Sequence, residues 1–163
     1  MDLLSNSEHL HCKPINTPSD PSVKINQDIG PRFSDVPSYR RLIGRLLYPT
    51  TTRPAITFIV QQLSQFLASP TQVHFKYACR VLSYLKQAPA RGLFFPSSSS
   101  LHLQGFSDVN WAGCPDTTRY VAGMCFFLGD SLVSWKAKKH ASIYRSYGQA
   151  EYLALGAATC ELQ

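Results

Sequence analysis

Charge is scarce in this chain of 163 residues. Asp, Glu, Lys and Arg together make up 16% of it, against about 25% in an ordinary soluble domain. Acid is the scarcer sign. From Tyr39 to Phe95 there are eight Lys/Arg and no Asp or Glu at all. Residues 1–100 carry 11 basic and 5 acidic side chains, while residues 101–163 carry 5 of each, so the whole net charge of +6 lies in the first part. An acid-free basic stretch attracts a polyanion, of which nucleic acid is the commonest, although a solvated basic face explains the charge equally well. Long apolar runs are missing too. Pro54–Val60 and Val121–Gly129 are the longest candidates, and a membrane span needs about 18 or more residues. The N-terminal MDLLSNSEHLHC has no apolar core behind a basic start, so no secretory signal is expected. The five cysteines (Cys12, Cys79, Cys114, Cys125, Cys160) include no C-x-x-C pair. That pattern predicts reduced thiols and an intracellular, cytoplasmic or nuclear setting, not a disulfide framework or zinc ribbon. His9, His11 and Cys12 lack a second ligand pair at a usable spacing and read as polar surface.

What is present suffices for a core. Hydrophobic residues make up 44%, and the length suits one domain or two small ones. Residues 1–38 read as an extended, Pro-rich connector, with five of the eleven prolines between Lys13 and Ser38. Proline fixes φ and removes a donor, which disfavours regular structure. From Tyr39 the period becomes helical. Tyr39, Leu42, Ile43, Leu46 and Leu47 make one apolar face behind Ser38 as N-cap. A second helix starts near Pro54, with Ile56, Ile59, Val60, Leu63, Phe66 and Leu67 inward. A third follows Ser69-Pro70, with Ser69 as N-cap and Val73, Tyr77, Val81, Leu82 and Leu85 inward. Residues 39–95 are thus expected to form a small three-helix bundle, closed by a short strand at Arg91–Phe95. Pro96 and the serines Ser97–Ser100 mark a flexible linker over 96–100.

Beyond that break the period falls to two. Leu101, Leu103, Gly105 and Ser107 alternate with His102, Gln104, Phe106 and Asp108, which predicts a strand running into Asp108. Asn110–Asp116 is a turn cluster. Val121–Leu128 and Leu132–Lys136 read as two more strands joined at Gly129-Asp130. Ser146–Leu162 reads as a helix. The expected class is α+β, with three antiparallel strands and a helix filling residues 101–163. Two acids stand out there. Asp108 at a strand end and Glu151 early in a helix can converge on a hard cation. Each also has an ordinary role, Asp in turn chemistry and Glu in complementing the helix dipole.

Several long strings point to one family. YRRLIGRLLYPTTTRPAITFIVQQLSQFLASP (Tyr39–Pro70) resembles the region following the palm in copia-type retrotransposon reverse transcriptases, plant members above all. HFKYACRVLSYLKQAPARGLFF, GFSDVNWAGCPDTTRYVAGMCFFLGDSLVSWKAKKH and RSYGQAEYLALGAATCEL continue the resemblance in order and spacing. It implies a reverse-transcriptase thumb and connection in the first part and the start of an RNase H fold in the second. The family's S-D-x-x-W-A-G is matched by Ser107, Asp108, Trp111, Ala112 and Gly113. The second Glu of its S-S-x-E-A-E-Y falls on Glu151. The implied chemistry is hydrolysis of RNA in an RNA–DNA hybrid by two Mg²⁺ ions about 3.5–4 Å apart, with Asp108 and Glu151 as ligands. The implied partners are hybrid or template–primer nucleic acid and the rest of the Pol polyprotein. Arg40, Arg41, Arg45 and Lys76 are candidates to grip its backbone, and Lys136, Lys138, Lys139 and Arg145 to touch phosphates.

The departures carry information too. The family's later catalytic acids and the polymerase Asp-Asp motif are not among these residues. The chain is therefore expected to hold a truncated RNase H-like fold that is inactive alone. The family's S-S-x-E-A-E-Y reads Ser146-Tyr147-Gly148-Gln149-Ala150-Glu151-Tyr152, so its first acid is Gln149 and a bulky Tyr147 replaces a small residue. The alternatives are a non-catalytic basic nucleic-acid-binding module, or a co-opted host protein needing a partner.

Overall fold

Asp35 begins the first helix. Its carboxylate accepts from the Ser38 amide at 3.0 Å, and Pro37 occupies the first turn, where a missing N–H costs nothing. The cap is therefore Asp35, and Ser38, expected in that role, is its hydrogen-bond donor. The structure is a computed structural model describing residues 13–87, 89–110, 121–139 and 146–162. It divides into two units, Met1–Gly92 and Leu93–Gln163.

In the first unit, α1 (Val36–Leu47) buries Tyr39, Ile43 and Leu46. A 3₁₀ turn at Tyr48–Thr51 follows. There the Thr50 and Thr51 hydroxyls donate to the carbonyls of Leu47 and Tyr48, which a helix end leaves unpaired. Helix α2 (Pro54–Ser64) buries Ile56, Ile59, Val60 and Leu63. Helix α3 (Gln72–Gln87) buries Tyr77, Val81, Leu82 and Leu85. These side chains form one core. The Tyr39 hydroxyl donates to the Leu63 carbonyl at 2.8 Å and so ties α1 to α2. Burial drives that phenol well above its usual pKa.

His74 is the polar centre of this unit. It is wholly buried, 0% exposed, and its ring stacks on Phe66 at 4.0 Å. Nδ1 accepts from the Thr71 amide at 3.0 Å, while the Thr71 hydroxyl accepts from the His74 amide at 3.4 Å. This is a capping box in which histidine replaces the usual Glu or Gln. Because Nδ1 accepts, Nε2 carries the proton and donates to the Asn26 carbonyl at 2.9 Å. Thr71 thus caps α3. Ser69, expected there, instead accepts from the Gln27 side-chain amide at 2.7 Å.

That bond also bears on the Pro-rich segment. Its backbone lacks helix and strand across residues 13–31, yet Ile25 is 3% exposed and Ile15, Val23 and Phe33 pack on the same core. Phe33 stacks on Phe75 at 4.3 Å, and the Arg80 guanidinium donates to Thr17 at 2.8 and 3.2 Å. Proline content describes the backbone of this segment, while its apolar side chains hold it against the helices.

The second unit is a three-stranded antiparallel sheet in the order β1-β2-β3, with one helix on it. The strands are β1 (Leu103–Asn110), β2 (Val121–Leu128) and β3 (Ser131–Lys139). Ser146 caps the helix α4 (Tyr147–Glu161), accepting from the Gln149 amide. The expected strand order and the α+β class are present. Arg91–Phe95, expected as a strand, has no regular structure, and Phe94 and Phe95 are exposed. A short apolar run makes a strand only when a partner offers its edge.

Helix α4 lies on the sheet through Ala150, Ala154 and Ala158, which pack on Val109, Ala122, Met124 and Phe126. Gly105 is needed opposite Phe126, since a Cβ there would stand 2.8 Å from the ring. Gly129, at φ +58°, turns the chain between β2 and β3, and a Cβ on it would meet the Ser99 hydroxyl at 2.1 Å. Ser99 in turn accepts from the Asp130 amide at 2.9 Å. The serine run, expected as a flexible break, is anchored at this point to the hairpin.

Two substitutions test these supports. His74→Ala is expected to cost about 2–4 kcal/mol, by emptying a buried site and orphaning the Thr71 amide and Asn26 carbonyl. A lower urea midpoint by circular dichroism reads it. Gly129→Ala is expected to cost about 1–3 kcal/mol through strain at positive φ and the clash with Ser99. Tryptophan fluorescence reads it, because both tryptophans fall in residues 93–163.

Candidate functional site

Asp108 and Glu151 lie far apart in sequence, and one groove brings them together. Ser107, Asp108 and Val109 of β1 face Gly148, Glu151 and Tyr152 of α4 across a cavity of about 430 Å³. The alanine stripe creates this arrangement. Side chains of one carbon let a helix approach a sheet closely, and Glu151 follows Ala150 directly on the flank of the buried stripe. Asp108 is inside β1, not at its end, because pairing with β2 carries the strand on to Asn110. One Asp108 oxygen accepts from the Val109 amide at 2.8 Å, which orients the carboxylate. Both acids are exposed to solvent.

Tyr147 stands one turn before Glu151 on α4, and its hydroxyl pKa is raised above the usual phenol value, chiefly by Glu151 and least by Asp108. The sequence marks Tyr147 only as a departure from a motif.

The chemistry of this donor set fits one hard divalent cation, which takes carboxylate oxygens readily. It does not fit two. Among the described residues, no group of three or more His, Cys, Asp and Glu is placed to hold a metal. Two dications about 4 Å apart repel strongly, and two carboxylates neutralise only half their charge.

The candidate basic residues separate into two kinds. In the first unit, Arg40 donates to the Leu67 carbonyl at 2.8 Å, an internal tie. Arg41 and Arg45 are exposed on the side of α1 opposite Tyr39, Ile43 and Leu46. Tyr48, 81% exposed, continues their stripe at i, i+4, i+7. Lys76 is exposed on α3. In the second unit, Lys136 pairs with Glu161, and Lys138 is exposed while Lys139 is partly covered. Arg145, the motif residues Trp111, Ala112 and Gly113, and the His9, His11, Cys12 group lie outside the described residues. Among the described residues no helix is long and apolar enough to cross a membrane.

The sequence matches no family model and no solved structure. It does match curated proteins along its whole length. It is 36% identical over 163 residues to the retrovirus-related Pol polyprotein from transposon RE1 of Arabidopsis thaliana, covering 100% of this chain and 11% of the polyprotein. The corresponding polyprotein from transposon RE2 of the same plant is 37% identical over 165 residues, again 100% of this chain and 11% of the relative. An uncharacterised mitochondrial protein of Arabidopsis thaliana is 37% identical over 161 residues, covering 98% of this chain and 66% of that protein. The chain thus spans about a tenth of the polyproteins it matches, 11% in each case. On these full-length matches the chain belongs to the copia-type retrotransposon Pol family.

Proposed function

We propose that this segment serves a reverse transcriptase–RNase H, the first unit acting as thumb and connection and the second as the opening strands and helix of the RNase H domain. The observation that supports this most is the groove in which β1 and α4 set Asp108 beside Glu151. The substrate is the RNA strand of an RNA–DNA hybrid. Mg²⁺ bound at such carboxylates activates water and stabilises a leaving oxygen. The chain's own residues supply the rest. Asp108, oriented by the Val109 amide, and Glu151, placed by the alanine stripe, both line the groove with negative charge. With two carboxylates there, the 163 residues alone are expected not to cleave.

A second reading is binding without cleavage, favoured by one surface. Arg41 and Arg45 project from α1 beside Tyr48 and suit a phosphate backbone, with the ring free to lie against a sugar or base.

Cleavage is tested with a chimera in which the sequence following Gln163 is taken from the RE1 polyprotein. Mg²⁺-dependent cleavage of a labelled hybrid is expected from the chimera, at least 100-fold lower after Asp108→Asn, an order of magnitude typical for loss of a main electrostatic stabiliser. Cleavage unaffected by Asp108→Asn refutes the assignment. Binding is tested by fluorescence anisotropy of a hybrid across salt concentrations. The affinity is expected to fall as salt rises. Arg41→Glu with Arg45→Glu should reduce the log–log slope by about 2, near 0.9 per lost phosphate contact.

A further inference from the structure

We propose that Thr17 is a phosphorylation site for a proline-directed serine/threonine kinase, and that Arg80 on α3 is placed to hold the resulting phosphate. Serine or threonine precedes proline twice in the sequence, at Thr17-Pro18 and at Ser69-Pro70. Pro70 is fully buried and the Ser69 hydroxyl accepts from Gln27 at 2.7 Å, so a kinase cannot reach that pair. Thr17 differs in each respect. It is exposed, and the chain around it has neither helix nor strand, so it can be read in the extended form that a kinase cleft takes. Pro18 has no amide proton and a fixed φ, the features a proline-directed kinase recognises beside the acceptor hydroxyl.

A cation is already aimed at that hydroxyl. Arg80 Nη2 donates to Thr17 Oγ1 at 2.8 Å, and Arg80 Nε donates to the Thr17 carbonyl at 3.2 Å. Among the described residues Arg80 has no carboxylate within ion-pair distance. Asp20, three residues on, is satisfied elsewhere. Its carboxylate accepts from the Ser22 hydroxyl at 2.6 Å and the Ser22 amide at 3.0 Å, and these bonds, more than Arg80, lower its pKa. Lys76, exposed one turn before Arg80 on α3, adds positive charge on the same flank. In the transfer, Thr17 Oγ1 takes the γ-phosphoryl of ATP, ADP leaves, and the hydroxyl proton passes to the kinase's base. The phosphate brings a charge of about −1.5 to −2 and three acceptor oxygens to a guanidinium whose fork suits them in pairs. A contact with a neutral hydroxyl becomes one between opposite charges, and the Pro-rich segment is held more firmly to α3.

The test incubates the full 163-residue chain with a proline-directed kinase, Mg²⁺ and ATP, and maps the product by mass spectrometry. A phosphoryl group is expected on Thr17 and is expected to be lost in Thr17→Val and in Pro18→Ala. A chain with Thr17 unmodified, or equal modification of Pro18→Ala, overturns the site. The role of Arg80 is read by phosphorus nuclear magnetic resonance. The second ionisation of the phosphate, at about pH 6 in an unfolded chain, is expected at lower pH in the folded chain, because a cation favours the dianion. It should return to its ordinary value in urea and in Arg80→Gln. Phosphorylation is also expected to slow hydrogen exchange at the amides of the Pro-rich segment about tenfold, in the wild type and not in Arg80→Gln. Either an unshifted ionisation or unchanged exchange overturns the role of Arg80.

Discussion

The close approach of one helix to one sheet is the constraint on which the second unit depends. Ala150, Ala154 and Ala158 recur every four residues, and each is nearly or fully buried against Val109, Ala122, Met124 and Phe126. Any larger side chain on that stripe would lift α4 away from the strands. Protein interiors tolerate little extra volume, and a single added methylene is felt. The same approach sets the depth of the groove between β1 and α4. Asp108 comes from a strand and Glu151 from the flank of the stripe, so their proximity is a property of the packing. Gly105 completes the fit by making room for the Phe126 ring that Met124 and Ala158 also touch.

A different device holds the first unit together. Helical bundles with short connections leave the ends of helices in need of partners, and here one imidazole serves the start of α3 and a carbonyl of the Pro-rich segment. His74 closes the start of α3 through the Thr71 amide and reaches across to the Asn26 carbonyl. The Pro-rich segment is thereby fixed to a helix distant in sequence, with Ile25 and Phe33 adding apolar contact. The internal arginines work in the same way. Arg40, Arg53 and Arg80 donate to the carbonyls of Leu67, Pro89 and Thr17. Much of the basic charge in the acid-free stretch therefore pairs with backbone oxygen. On α1, Arg41 and Arg45 are exposed without the backbone tie that Arg40 makes, and Lys76 is exposed on α3.

Helix identity was plain in the periodicity of residues 39–85, because three apolar stripes at a period of 3.6 admit few other readings. Helix starts were not, because caps are settled by geometry beyond the window. Ser38 and Ser69 are good cap residues by type, yet Asp35 reaches the third amide of α1, and Gln27 occupies Ser69. In β1 the alternation marked a strand but not which part of it is covered. Leu101 and Leu103 are exposed, whereas Val109 is buried, since α4 covers the strand only near that residue. No spacing rule brings Asp108 to Glu151. That pairing was visible through family resemblance, and the sequence alone left each acid its ordinary local role.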